Sequence, residues 1–294
     1  MLNLQARVLP PVTVHIDTPS HARVYDYFLG GTTNWVVDRE FGANVLDQYP
    51  LMRRLVLAHR LFLNRAVRHL MRRGIRQFLD VGSGVPAIGA THQVADEYSA
   101  VAGHPPRARV VYADNDPVAV AHGELLLDKY GDHSRQVMIE ADIRDPVDLW
   151  QQAVDTELLD PKEPVGLLLV AILHLKQLDT TGRELVPDAV ARLRGLLPTG
   201  SHVAISHVTD EDITDEIRAS LDGLKRIYDA SGSGDVRWRS RADIEALLGD
   251  LRPIDPGWTS AIDWRPEETG PSAPAISFPP SSGAVIWAGV GEKV

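Results

Sequence analysis

Apolar residues in the middle of this chain fall into short, nearly unbroken runs separated by longer stretches where they recur every three or four positions. Runs of four to eight predict buried strands, and the 3.6-residue recurrence predicts helices between them. The runs place strands at 76–81, 108–113, 135–140, 165–173 and 201–207, with helices at 86–99, 117–129, 146–153, 187–196 and 212–230. Strands as continuously apolar as Gly166-Leu-Leu-Leu-Val-Ala-Ile-Leu173 are expected where both faces of a sheet are covered. Strict alternation with helices makes that sheet parallel and doubly wound. The fold class is α/β.

Both ends depart from the alternation. Three helical stretches, 20–29, 38–49 and 51–73, precede the first strand. Nothing in the alternation requires them, so they are expected to cap the carboxyl edge of the sheet. After a helix at 240–248, a stretch at 251–258 and a final strand at 284–290 are joined by a loop, 266–282, that holds Pro271, Pro274, Pro279 and Pro280. Two strands joined without a crossover helix pair antiparallel, which gives seven strands, mostly parallel, with an antiparallel end. The proline-rich loop is expected to be exposed and mobile. The organisation is a flexible arm at 1–18, a helical cap at 19–74 and a core at 75–294.

Chemistry concentrates where the strands end. The first strand runs through Asp80 into Gly82-Ser83-Gly84, a turn that lets backbone amides approach a ligand closely. Gly82-x-Gly84-x-x-Ala87 also satisfies the dinucleotide pattern G-x-G-x-x-[GA]. Two features oppose that reading. Asp80 would repel a pyrophosphate, and residues 101–104, about where a ribose-binding acid belongs, contain none. Instead the second strand ends at Asp114 and the third at Asp142. In a parallel sheet three such ends lie side by side at the ligand-binding edge. An acidic edge suits S-adenosylmethionine, with its ammonium, sulfonium, ribose hydroxyls and adenine amine, rather than NAD.

Asp80-Val-Gly-Ser-Gly84, followed by Asp114 and Asp142, resembles the class I S-adenosylmethionine-dependent methyltransferases. Pro19-Ser-His-Ala-Arg-Val-Tyr-Asp-Tyr-Phe-Leu-Gly-Gly-Thr-Thr-Asn34, Tyr112-Ala-Asp-Asn-Asp-Pro117 and Ala141-Asp-Ile-Arg-Asp-Pro146 resemble a bacterial family called S-adenosyl methyltransferase. The resemblance implies a Rossmann-like seven-stranded sheet and a cofactor site: Asp80 for the methionine ammonium, Gly82, Ser83 and Gly84 for backbone contact, Asp114 for the ribose, Asn115 along the adenine, and Asp142 with Ile143 at the adenine amine. Asp116 before Pro117 is expected to cap a helix. Tyr25, Tyr27, Gly31 and Asn34 suit a lid or substrate mouth, or else a helix ending on a glycine cap.

His174, just past the fourth strand, is the candidate general base, with Ser206-His207 a weaker one. No G-x-S-x-G elbow is present, and the N/D-P-P-Y signature of amino-group methylases is replaced by Ala171-Ile-Leu-His174. Methyl transfer needs neither a strong base nor a metal, because orientation and desolvation supply most of the acceleration. No metal is expected. A mouth formed by Trp35, Phe41 and Phe62 would favour a small-molecule acceptor. A non-catalytic S-adenosylmethionine sensor is the alternative.

Bulk properties narrow the partners. With 294 residues, 44% hydrophobic and 24% charged, the chain is globular. A net charge of −10 gives no field for nucleic acid. The arginines at 53, 54, 60, 65, 68, 72 and 73 are expected on a solvated helix face. No cysteine is present, which removes disulfides and thiolate ligands. The sequence shows no run of about 18 apolar residues and no signal-peptide pattern, so a cytoplasmic protein without membrane contact is expected.

Overall fold

The structure, a computed structural model, describes residues 17–86, 89–231, 236–275 and 285–294. The arm at 1–16 and the loop residues 276–284 lie outside the described residues.

The central sheet is built from β1 (Gln77–Val81), β2 (Arg109–Asp114), β3 (Gln136–Glu140), β4 (Gly166–Val170) and β5 (His202–Val208), all parallel, with β8 (Ile286–Glu292) antiparallel beside β5. The strand order is β3-β2-β1-β4-β5-β8-β6. Two short strands, β6 (Arg252–Pro253) and β7 (Thr259–Ser260), both pair antiparallel with β8. They stand where one strand over 251–258 is expected. Pro253 and the turn at 255–256 interrupt that stretch, and proline cannot continue a ladder.

The unbroken apolar runs split by strand periodicity into two cores. Phe78, Val110, Tyr112, Leu168 and Ala204 face one layer. Their neighbours Leu79, Val111, Leu167, Leu169 and Val203 face the other. Helices α3 (Met52–Arg72) and α4 (Thr91–Val101) pack against each other over the first face. Helices α6 (Pro146–Asp155) and α7 (Val186–Leu196) do so over the second. Remaining helices are α1 (His21–Phe28), α2 (Val36–Gln48), α5 (Pro117–Tyr130), α8 (Asp215–Ser231) and α9 (Arg241–Ala246). Helix α4 begins at Thr91, not 86, so the glycine turn leads into a loop; positions 87 and 88 lie outside the described residues.

Helix α3 is more than a cap. Its C-terminal half lies on the sheet, with Phe62, Ala66, Val67 and Leu70 buried in the same core as β1 and β4. Four of its arginines are engaged by neighbouring segments rather than only solvated. Buried Arg65 donates to the Ile262 carbonyl at 2.7 Å, the Trp264 carbonyl at 3.1 Å and Thr269 Oγ1 at 2.8 Å. Arg68 pairs with Glu97, Arg72 with Glu268, and Arg73 with Glu292. The Gly270 N–H donates to Asn64 Oδ1 at 3.0 Å. The start of the proline-rich loop is therefore docked on α3, not free.

Arg65→Met removes the three hydrogen bonds of a buried cation. It is expected to destabilise the fold by about 2–4 kcal/mol, read as a lower urea midpoint with an unchanged slope.

Candidate functional site

A cavity of about 450 Å³ opens over the carboxyl ends of the parallel strands, within the range of about 300–1,000 Å³ usual for small-molecule sites. Asp80, Gly82, Ser83, Gly84, Asp114, Asn115 and Ile143 line it, as do Tyr25 and His174. These predicted residues come together because β1 lies between β2 and β4, so the loops after β1, β2 and β4 share one edge.

Asp80 closes β1 and is 6% exposed; Thr91 Oγ1 donates to it at 2.7 Å. Burial pushes its pKa up to about 6, against the hydrogen bond from Thr91 and the charge of Arg60. Asp114 closes β2, is 7% exposed, and accepts from the backbone N–H of Gly84 at 2.8 Å and of Asp116 at 2.9 Å. Burial raises it also to about 6, with those amides opposing. One strand end thereby holds the other strand's glycine turn. Gly82, at φ +65°, has no room for a side chain, since a Cβ would lie 1.9 Å from Ile172 Cδ1.

Asp116 caps α5 by accepting from the Val118 and Ala119 N–H groups. It also accepts from Ser20 Oγ and lies 3.6 Å from Arg23, whose Nε donates to Asp38 at 2.7 Å. Helix α1 is thus fastened to the segment that carries Asp114.

Several predicted residues sit elsewhere. Asp142 is not on the cavity wall: it pairs with Arg144 and accepts from Asn115 Nδ2 at 3.3 Å. Burial would raise its pKa, but those partners hold it below the ordinary value. Gly31 and Asn34 build the turn after α1 around buried Asp26. That carboxylate accepts from Asn34 Nδ2 at 2.7 Å and the Thr33 N–H at 2.8 Å, and a Cβ on Gly31 would lie 2.0 Å from it. Tyr27 packs on Gly42 of α2. Of the expected mouth, Phe62 stacks edge-on with Trp264, Trp35 covers Arg23, and Phe41 meets Tyr228; none lines the cavity. Their aromatic character serves packing between helices.

Residues that sequence reasoning did not assign also reach the cavity. From α3 come Met52, Val56, His59, Arg60 and Leu63; from α1 His21; from α8 Leu221, Leu224 and Tyr228. The spacing of Met52, Val56, His59 and Leu63 marks one helix face, and a histidine in an apolar stripe is the signal it offered. His174 is enclosed, and burial lowers its pKa to about 3, so its ring is neutral. Its Nδ1 has no hydrogen-bond partner. His207 does not reach the cavity; it is held by the Val208 and Leu173 carbonyls and by Arg239. Ser206 Oγ lies 2.7 Å from His59 Nδ1. Among the described residues no group of three or more His, Asp or Glu is placed to hold a metal ion.

A family model described as S-adenosyl methyltransferase matches residues 9–294. The chain belongs to the S-adenosyl methyltransferase family. It is similar to a candidate methyltransferase of Thermobifida fusca YX, at 31% identity and a TM-score of 0.79, over 97% of this chain and 99% of that one. It is also similar to a DUF574 family protein of Streptomyces avermitilis MA-4680, at 30% identity and a TM-score of 0.78, over 94% and 98%. No curated protein matches the chain. The enzyme is an S-adenosylmethionine-dependent methyltransferase, and the dinucleotide reading of its glycine turn is set aside. Among the described residues no helix is long and apolar enough to cross a membrane.

The raised carboxylates make the ligand-free methyltransferase pH-sensitive. An unfolded aspartate titrates near 3.9. Between about pH 4 and 6 the unfolded chain therefore loses its proton first, and the contribution of Asp80 to stability declines as pH rises through that window. Asp80→Asn is expected to leave the melting temperature nearly unchanged at pH 4. Above pH 6 it should stabilise the protein by up to about 3 kcal/mol, as seen in parallel melts across pH.

Proposed function

We propose that the enzyme methylates a small-molecule acceptor, with S-adenosylmethionine lying across the ends of β1 to β3 and the acceptor beyond, over β4 and β5. The observation that carries this reading is the pair of buried carboxylates, Asp80 and Asp114, on one cavity wall with the Gly82–Gly84 turn between them. Such a wall fits a cationic ligand, because each carboxylate is buried without a full counter-charge and recovers ionisation when a cation or hydroxyl donor meets it.

Asp80 would hold the methionine ammonium, and Arg60, which lines the cavity and acts electrostatically on Asp80, would hold the carboxylate. Asp114 would accept from the ribose hydroxyls while the Gly84 N–H keeps it aimed. Ile143 and Asn115 would flank the adenine. Asp142 would act through Asn115 and Arg144, which it fixes, rather than by touching the adenine amine itself.

When bound, S-adenosylmethionine supplies an electrophilic methyl group on sulfonium. The chain's own part is to orient and to exclude water. Val56, Leu63, Leu221 and Leu224 make the cover apolar, and Tyr25 closes over it with its hydroxyl donating to the Val56 carbonyl at 3.3 Å. Orientation in a dry site lowers a displacement barrier without general-base help. His174, with its pKa lowered to about 3, is too weak a base at neutral pH to drive the reaction, so its part is to position the acceptor.

Calorimetric titration tests the cofactor site. S-adenosylmethionine and S-adenosylhomocysteine should bind and NADH should not. Asp114→Ala is expected to weaken both sulfur ligands by roughly 10–100-fold, the worth of one or two charge-assisted hydrogen bonds. Unchanged affinity in that variant would remove the assignment. Appearance of S-adenosylhomocysteine on incubation with a pool of small hydroxylated and amine compounds would support the acceptor class.

A further inference from the structure

The cavity has two unlike ends, and the sheet order separates them. Over β2 and β1 stand Asp114 and Asp80; over β4 and β5 the wall comes from α1, α3, α8 and the segment after β4. At that second end stand three imidazoles, with Lys176, Gln177 and Tyr228 as further polar residues. His59 and His174 lie with ring centroids 5.8 Å apart, and His21 stacks flat on Tyr228 at 5.3 Å. Phe28, Leu221, Leu224 and Trp238 line the cavity with them. Burial holds His59 and His174 uncharged at neutral pH.

Two features of this end point to a ligand. His174 Nδ1 is buried and without a hydrogen-bond partner, although leaving a buried polar atom unsatisfied is costly. His59, by contrast, is satisfied by Ser206, whose hydroxyl also accepts from the Ala171 N–H at 3.2 Å. His59 is thus part of the pocket's own architecture, while the Nδ1 of His174, which lines the cavity beside it, is left unpaired. A charged ligand finds little to balance it here. Lys176 at the rim has its own interaction partner, Arg239 behind His207 is taken by Glu184, and no carboxylate lines this end. Aromatic rings on the wall, His174 and Trp238 among them, favour an aromatic guest.

We infer that the end of the cavity over β4 and β5 takes an uncharged aromatic molecule bearing a hydroxyl group, which donates its hydrogen bond to the His174 ring. This rests on the reading of the cavity as cofactor end plus acceptor end, and names the acceptor's class. His174 then acts as an acceptor-positioning residue, and neither a charged amine nor a carboxylate is accommodated beside it.

The test uses the full chain saturated with S-adenosylhomocysteine at pH 7. The probes are 2-naphthol, 2-naphthoate and 2-naphthylmethylamine, followed by ligand-observed NMR and fluorescence titration. Naphthol should bind about tenfold or more tighter than either charged analogue, and His174→Phe should weaken naphthol by about tenfold. The inference is overturned if naphthol does not bind, if either charged analogue binds as well, or if folded His174→Phe binds naphthol like the parent. The comparison among analogues needs no variant, so it decides even if His174→Phe fails to fold. Absence of S-adenosylhomocysteine binding at the first step would instead strike the cofactor reading, which keeps the two failures apart.

Discussion

Negative charge buried at the carboxyl edge of a parallel sheet is the constraint around which this protein is arranged. Asp80 and Asp114 end neighbouring strands, and each has been drawn out of water far enough to titrate near 6. The chain only half repays that burial. Asp80 receives one hydroxyl, from Thr91, and the charge of Arg60; Asp114 receives two backbone amides. One of those amides belongs to the glycine turn, so the acid that would meet the ribose also sets the turn that would meet the rest of the ligand. Removing charge here should make the empty protein firmer and the loaded one weaker, the usual trade at a functional site.

The N-terminal helices follow from the same edge. Ser20 and Arg23 reach Asp116, two residues beyond Asp114, and Arg23 is itself held by Asp38 at the start of α2. The cover is tied to the cofactor edge through a helix cap, not through a separate hinge. Below it α3 serves two layers. Its first turns bring His59 and Arg60 to the cavity, while Phe62, Arg65 and Leu70 anchor it to the sheet and to the segment 262–270. Four of the arginines that look like a solvent face in sequence, Arg65, Arg68, Arg72 and Arg73, clamp this arrangement.

How much of this was legible depends on whether a residue acts locally or through packing. The strands, their order of polarity and the acids that close β1 and β2 are written in contiguous runs, so they read directly. The antiparallel end also reads, because no helix intervenes, although Pro253 and the turn after it break the expected strand in two. Arg60 and His59 were hidden, since only the path of α3 across the sheet carries them to the cavity. Tyr228 and Trp238 lie too far along the chain for spacing to reveal them. Asp142, Gly31 and Asn34 read as site residues because their types suit ligands; the structure adds that Asp142 pairs with Arg144 and that Gly31 and Asn34 pack around Asp26.

The central claim is that buried strand-end carboxylates must ionise to hold a cationic ligand. It is tested most directly by the pH dependence of S-adenosylhomocysteine affinity between pH 5 and 7, where the ligand's own amino-acid ammonium stays charged. The account predicts affinity that rises with pH and levels off above about 6, with the rise much reduced in Asp80→Asn. Affinity that is flat across this range in the parent protein would contradict it.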